Sequence, residues 1–197
     1  MSFLHLTREN IERQNNLVKE SVEYGDEYKL IKSCFAQFPA NDDLNVIAMK
    51  IALIDVTNST NLSRHKKKIS LYSLAKVIFE IKDFDKRVEQ GDPELVNIIA
   101  RNTGAINFFS FASKYCCYHN VNVYGRDDYS IFDSLVKEAL PFYCQGLTKN
   151  KIESWRRGFN YRAFNDCIGQ VLDNADITVE FRRRKFDHFL WYQKKNA

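Results

Sequence analysis

A carboxylate, an amine and a run of small polar side chains are among the groups in this sequence that could do chemistry. Asp133 follows Tyr129-Ser130-Ile131-Phe132, and the spacing predicts Ser130 as a helix N-cap with Asp133 at the third helical position. A helix N-terminus holds a carboxylate rigidly. Cleaving an N-glycosidic bond develops positive charge on the sugar, so a fixed carboxylate near C1′ stabilises the transition state and orients the attacking water. A capping role alone explains the same residue, and the two readings stand side by side. Lys114 supplies a candidate amine, with a surface lysine as the plain alternative.

Binding to DNA would need further groups. Asn58, Ser59, Thr60 and Asn61 form a polar turn after an apolar segment, and Gly104 punctuates the chain before Asn107. From Lys149 onward there are eleven Lys/Arg against six Asp/Glu, a net of +5, so residues 1–148 are near −1 within the total of +4. The basic clusters are Arg156-Arg157 and Arg182-Arg183-Arg184, with Lys66-Lys67-Lys68 as an outlier. Such clusters are an electrostatic footprint for phosphates or a solvated face. Phe108, Tyr115 and Trp191 are candidates for a pocket that accepts an extruded base, with ordinary core packing as the alternative for the first two.

Three segments in order carry a resemblance. Ile51-Ala52-Leu53-Ile54-Asp55-Val56-Thr57-Asn58-Ser59-Thr60-Asn61-Leu62 resembles a helix leading into a lesion-facing polar turn. Thr103-Gly104-Ala105-Ile106-Asn107-Phe108-Phe109 resembles a phosphate-binding glycine hairpin running into a central helix. Tyr129-Ser130-Ile131-Phe132-Asp133-Ser134-Leu135-Val136 is similar to the segment that ends in a catalytic Asp. Together, over roughly Asn45 to Leu140, they resemble the helix-hairpin-helix DNA glycosylase superfamily of the endonuclease III and 8-oxoguanine glycosylase type. The resemblance implies a base-excision enzyme for a damaged or modified base, in repair or in defence against phage, with Asp133 catalytic and no cofactor. Asn107 stands where bifunctional members place a Schiff-base lysine, which implies water as nucleophile and makes strand cleavage the less expected activity. Lys114 lies seven residues on, about two turns along the same helical face, and substitutes only if it faces the pocket. The alternatives are a non-catalytic helical DNA-binding or adaptor protein on the same scaffold and a helical interaction protein with no nucleic-acid role.

The elements that must position these groups read as helices. Thr7 to Glu23 and Glu27 to Phe38 are amphipathic, and Asn41-Asp42-Asp43 offers caps for an apolar helix from Leu44 to about Val56. Another begins near Ser70 and runs to Ile81. Asp92-Pro93 starts a short helix through Ile99, ended by Gly104. Ile106 to Tyr118 is apolar nearly all round and predicts a central helix, followed by a loop from His119 to Tyr129. Lys149 to Leu172 and Val179 to Gln193 complete the set, with the alternating Ile177 to Phe181 taken as the run-up to the last helix.

The composition agrees with that architecture. A 45% hydrophobic content with fifteen Phe and ten Tyr excludes disorder for the bulk, and seven Gly with three Pro are too few for an all-β chain of many turns. The expected fold is all-α and compact, with more than roughly 60% helix in about nine or ten helices. It forms a single domain over 1–197, with lobes at 45–140 and 1–44 plus 141–197. Cys34, Cys116, Cys117, Cys144 and Cys167 have no C-x-x-C spacing and the histidines are scattered, so neither a disulfide framework nor a metal is expected. Without an apolar leader or spanning window, the expectation is a cytoplasmic protein with DNA as partner and no membrane contact.

Overall fold

The computed structural model describes residues 3–58, 60, 62, 69–104 and 106–195, the side chains of Glu23 and Lys195 excepted. Among them are eleven α-helices and no strand. They are α1 (Arg8–Glu20), α2 (Val22–Gln37), α3 (Leu44–Asn58), α4 (Leu71–Phe79), α5 (Phe84–Glu89), α6 (Glu94–Arg101), α7 (Phe109–Tyr124), α8 (Ser134–Tyr143), α9 (Lys149–Arg157), α10 (Tyr161–Asn174) and α11 (Arg182–Lys195). The chain is all-α, and 71% of the described residues are helical.

Helix α7 is the axis of the fold. Every residue from Phe111 to Asn120 is buried, and α2, α3, α5 and α6 pack around it. An apolar surface on all sides forces a helix inside, because no face is left that water would stabilise. The helix runs six residues beyond the predicted end at Tyr118 and stops at Gly125, whose φ of 63° supplies the left-handed turn that closes its last carbonyls. His119 and Asn120 are therefore buried helical residues instead of the start of a loop. They tolerate burial because Asn41 and Asp85 face His119, while Asn120 donates to the Val88 carbonyl at 2.8 Å.

Other boundaries differ for local reasons. Ser21 both ends α1 and caps α2 by accepting from Tyr24 N–H at 3.3 Å, so the break falls before the predicted one. The single basic segment from Lys149 is two helices, divided at Gly158-Phe159-Asn160, where Phe159 has a φ of 51° and Asn160 caps α10. Phe181, with a φ of 52°, delays α11 to Arg182. There the Asp127 carboxylate accepts the N–H groups of Arg183 at 2.7 Å and Arg184 at 3.1 Å, a cap supplied from a distant loop. Helix α11 then packs along α1, α8 and α10.

Candidate active site

Five elements, α2, α3, α7, the start of α8 and α11, converge on one cavity of about 440 Å³. Helix α3 ends at Asn58, whose carbonyl lacks an intrahelical partner as all terminal carbonyls do. The Lys114 amine, carried inward by α7 and only 7% exposed, donates to that carbonyl at 3.3 Å. Asn58 Oδ1 accepts the Tyr118 hydroxyl at 2.5 Å, which fixes the end of α3 against α7.

Asp133 reaches the cavity from the start of α8. It is itself the N-cap, with φ at −149° and Oδ1 accepting Val136 N–H at 2.8 Å. The predicted capping by Ser130 is corrected: Ser130 is buried, and its N–H goes to Tyr161 and Asn165, so the helix starts three residues later. Among the described residues Oδ2 of Asp133 accepts no further hydrogen bond, and Asp133 lines the cavity beside Lys114.

Helix α11 closes the opposite side with Asp187 and Trp191. Asp187 pairs with Arg184 one turn earlier, and Arg184 is 5% exposed. That guanidinium also donates to the Tyr24 hydroxyl at 3.1 Å and the Tyr118 hydroxyl at 3.3 Å, with its centre 4.9 Å from the Tyr118 ring. Burial pushes the Asp187 carboxyl up to about 6, with Arg184 opposing the rise, the like charge of Asp133 adding to it and Lys114 opposing it. Trp191 stands 4.7 Å from Tyr24, the rings tilted by 36°, so the cavity has an aromatic wall.

Of the residues singled out from the sequence, Asn58, Lys114, Asp133 and Trp191 line this cavity together. Phe108 and Tyr115 do not: at 5% and 0% exposure they are packed in the core, because α7 turns those faces toward other helices. Thr60 turns back to donate to Asp55 at 2.5 Å instead of pointing outward. Asn107 is spent on structure, donating to the Arg156 carbonyl at 2.9 Å and accepting Phe109 N–H at 3.0 Å at the start of α7. Gly104 is exposed in the turn between α6 and α7, with a φ of 77° that favours glycine.

The basic clusters are largely occupied within the chain. Arg156 and Arg157 both pair with Glu153, and Arg182 pairs with Asp173. Arg183 donates to Ser130 Oγ at 2.9 Å and the Asn165 carbonyl at 2.7 Å, and Arg184 is buried as described. Arg157, 75% exposed, is the most open of the arginines in these pairs. Ser59, Asn61, Lys66, Lys67 and Lys68 lie outside the described residues.

The N-terminal wall of the cavity falls within a stretch shared with other proteins. A family model described as HI_0787_N, N-terminal domain, matches residues 10–124. The chain belongs to that family. It is also 30% identical over 150 residues to an uncharacterized protein of Haemophilus influenzae, covering 71% of this chain and 64% of the relative. The chain thus spans less than two thirds of that relative's length. No solved structure matches it. The family's stretch contributes Tyr24, Glu27, Asn58 and Lys114 to the cavity, whereas Asp133, Asp187 and Trp191 lie beyond it.

Sequence reasoning missed Asp187, Arg184 as its partner, and Tyr24. A signal existed in α11, where Arg184, Asp187 and Trp191 are spaced by three and four and so share one face. The three preceding basic residues read as a surface patch and hid it.

Proposed function

We propose that this cavity is the active site of a DNA N-glycosylase that excises a damaged or modified base. The observation that carries the reading is the convergence of Lys114, Asp133 and Trp191, from three separate elements, on one partly enclosed cavity. The Asp133 oxygen that does not cap α8 stabilises the cationic sugar as the glycosidic bond breaks and the base departs with the bonding electrons. Water adds at C1′, and its proton passes to a carboxylate. Asp187, held at about 6, is matched to that transfer near neutral pH. Trp191 offers the extruded base a face to stack on.

Lys114 lines the same cavity, which supports a chemical role for it on this reading. It therefore competes with water as the nucleophile at C1′. The reading does not lean on the C-terminal arginines, whose guanidinium groups are paired inside the chain.

The test is incubation with duplexes carrying single modified bases, followed by alkaline cleavage at abasic sites. Cleavage products with the wild-type chain and none with Asp133→Asn support the reading; none with the wild-type chain across the modified bases overturns it. The bond from Asp133 to Val136 favours a second reading, a non-catalytic helical DNA-binding or adaptor protein in which that carboxylate only caps α8. On that reading duplex binding survives without base release.

A further inference from the structure

A second cavity, of about 150 Å³, lies among α1, α2, α7 and α11. Lys19, Lys32, Arg184 and Lys185 line it, and among the described residues no carboxylate does. Two of these cations are balanced outside the cavity wall, Arg184 by Asp187 and Lys185 by Glu12 at 2.6 Å. Lys19 lies 6.0 Å from the ring of Tyr28, which leaves its charge uncancelled by that contact.

The same cavity is lined by His188, whose ring is 1% exposed and held edge-on between Tyr24 at 5.7 Å and Tyr28 at 6.2 Å. Its Nδ1 is 2.9 Å from Asn15 Oδ1. A carboxamide oxygen only accepts, so Nδ1 carries the proton and Nε2 presents a lone pair. Nε2 is buried without a hydrogen-bond partner among the described residues. Burial, reinforced by Arg184 and Lys19, keeps this imidazole neutral, so Nε2 needs a donor in a cavity whose charges call for an anion.

We infer that this cavity binds a phosphate group that retains a titratable hydroxyl, as inorganic phosphate or as the terminal phosphate of a nucleic-acid strand. A group of this kind is both things at once. Its second pKa is about 6, so near neutral pH it carries negative oxygens for the lysines, and its monoanion, selected by an acceptor at the site, keeps a protonated oxygen that donates to Nε2. A phosphodiester or a sulfate has the charge without the donor, and a protonated carboxylic acid has the donor without the charge. The volume is about half the lower bound of ordinary small-molecule pockets, roughly 300 Å³, which suits a single tetrahedral group better than a whole nucleotide.

This site does not depend on base release in the larger cavity, and the experiment separates them. Calorimetric titration with inorganic phosphate is compared between the wild-type chain and the double variant Lys19→Ala/Lys32→Ala, both exposed positions whose loss leaves the fold intact. We expect phosphate to bind the wild-type chain, to bind the double variant about tenfold or more weakly, and sulfate to bind less well than phosphate. His188→Gln should erase the preference for phosphate over sulfate. Equal phosphate affinity in wild type and double variant, or sulfate binding as tightly as phosphate, overturns the inference. Short duplexes with and without a 5′-terminal phosphate then assign the source. A preference for the phosphorylated duplex that the lysine variant loses points to a strand end; equal affinities, with phosphate still bound, point to the free anion. Phosphate binding without any abasic-site formation leaves this site standing and removes the excision reading.

Discussion

The Lys114 amine donates to the main-chain oxygen of Asn58 at 3.3 Å, although the two residues are 56 positions apart in the chain. That bond closes the C-terminal end of α3 against the central helix and simultaneously points an amine along the wall of the larger cavity. A structural and a chemical role thus fall on one side chain, and they separate by measurement.

Lys114→Met should lower stability by about 1 kcal/mol, the value of one hydrogen bond to a terminal carbonyl, read as a shifted urea midpoint. If water is the nucleophile, base release persists in this variant. Borohydride trapping decides the matter: a covalent adduct formed by the wild-type chain and absent from Lys114→Met identifies the amine as the attacking group.

Asp133→Asn keeps an oxygen for Val136 N–H and removes the charge. Stability should change by less than about 1 kcal/mol, because Asn and Asp cap equally well. Base release should fall by a factor of about a hundred or more with duplex affinity retained. Asp133→Ala should lose activity to the same extent and a further ~1 kcal/mol of stability through the missing cap. Full base release by Asp133→Asn would displace the active site from this cavity.

The pairing of Arg184 with Asp187 predicts an asymmetry. Arg184→Met strands a largely buried carboxylate and removes the partner of two tyrosine hydroxyls, for a loss of about 3 to 5 kcal/mol. Asp187→Asn should cost less, since the charge that burial opposes is gone. The Asp187 carboxyl lies above its ordinary value, at about 6, so the folded chain binds its proton more tightly than the unfolded chain. Its contribution to stability is therefore largest at low pH and declines as pH rises from about 4 through 6. The denaturation midpoint of the wild-type chain minus that of Asp187→Asn should fall over that interval.

Asp85 carries the opposite sign. Burial alone would raise its carboxyl, but hydrogen bonds from His119 and Asn41 hold it down to about 2. Its stabilising contribution is present above the ordinary carboxylate range and is lost as pH falls from about 4 through 2. In acid titrations followed by circular dichroism, the wild-type advantage over Asp85→Asn should vanish in that window.

The helical architecture was legible because α3, α4 and α7 carry long apolar patterns that no strand of this length would have. Asp92-Pro93 marked the start of α6, with Asp92 accepting Glu94 N–H at 3.0 Å. The six-residue α5 escaped notice because its cap, Asp83, adopts a left-handed φ of 53° that its residue type does not announce. In the cavity, Lys114 and Asp133 were legible as residue types with a spacing, while Asp187 was not. Its importance arises from burial against α8 and α2, a tertiary property that a run of neighbouring arginines concealed. The same burial explains Tyr115, which looked like a pocket wall and is a core residue.

The contact between α1 and α11 has a consequence for the order in which the molecule acquires its shape. Lys185 meets Glu12 across 173 residues of chain, and the Leu4 N–H reaches Gln193 across 189. Contacts of such separation form late, because closing so long a loop must precede any gain from packing. During synthesis α1 can pack on α2 but lacks its main partner until the residues of α11 have left the ribosome. Both cavities take a wall from α11, so an emerging chain, however helical, contains neither of them.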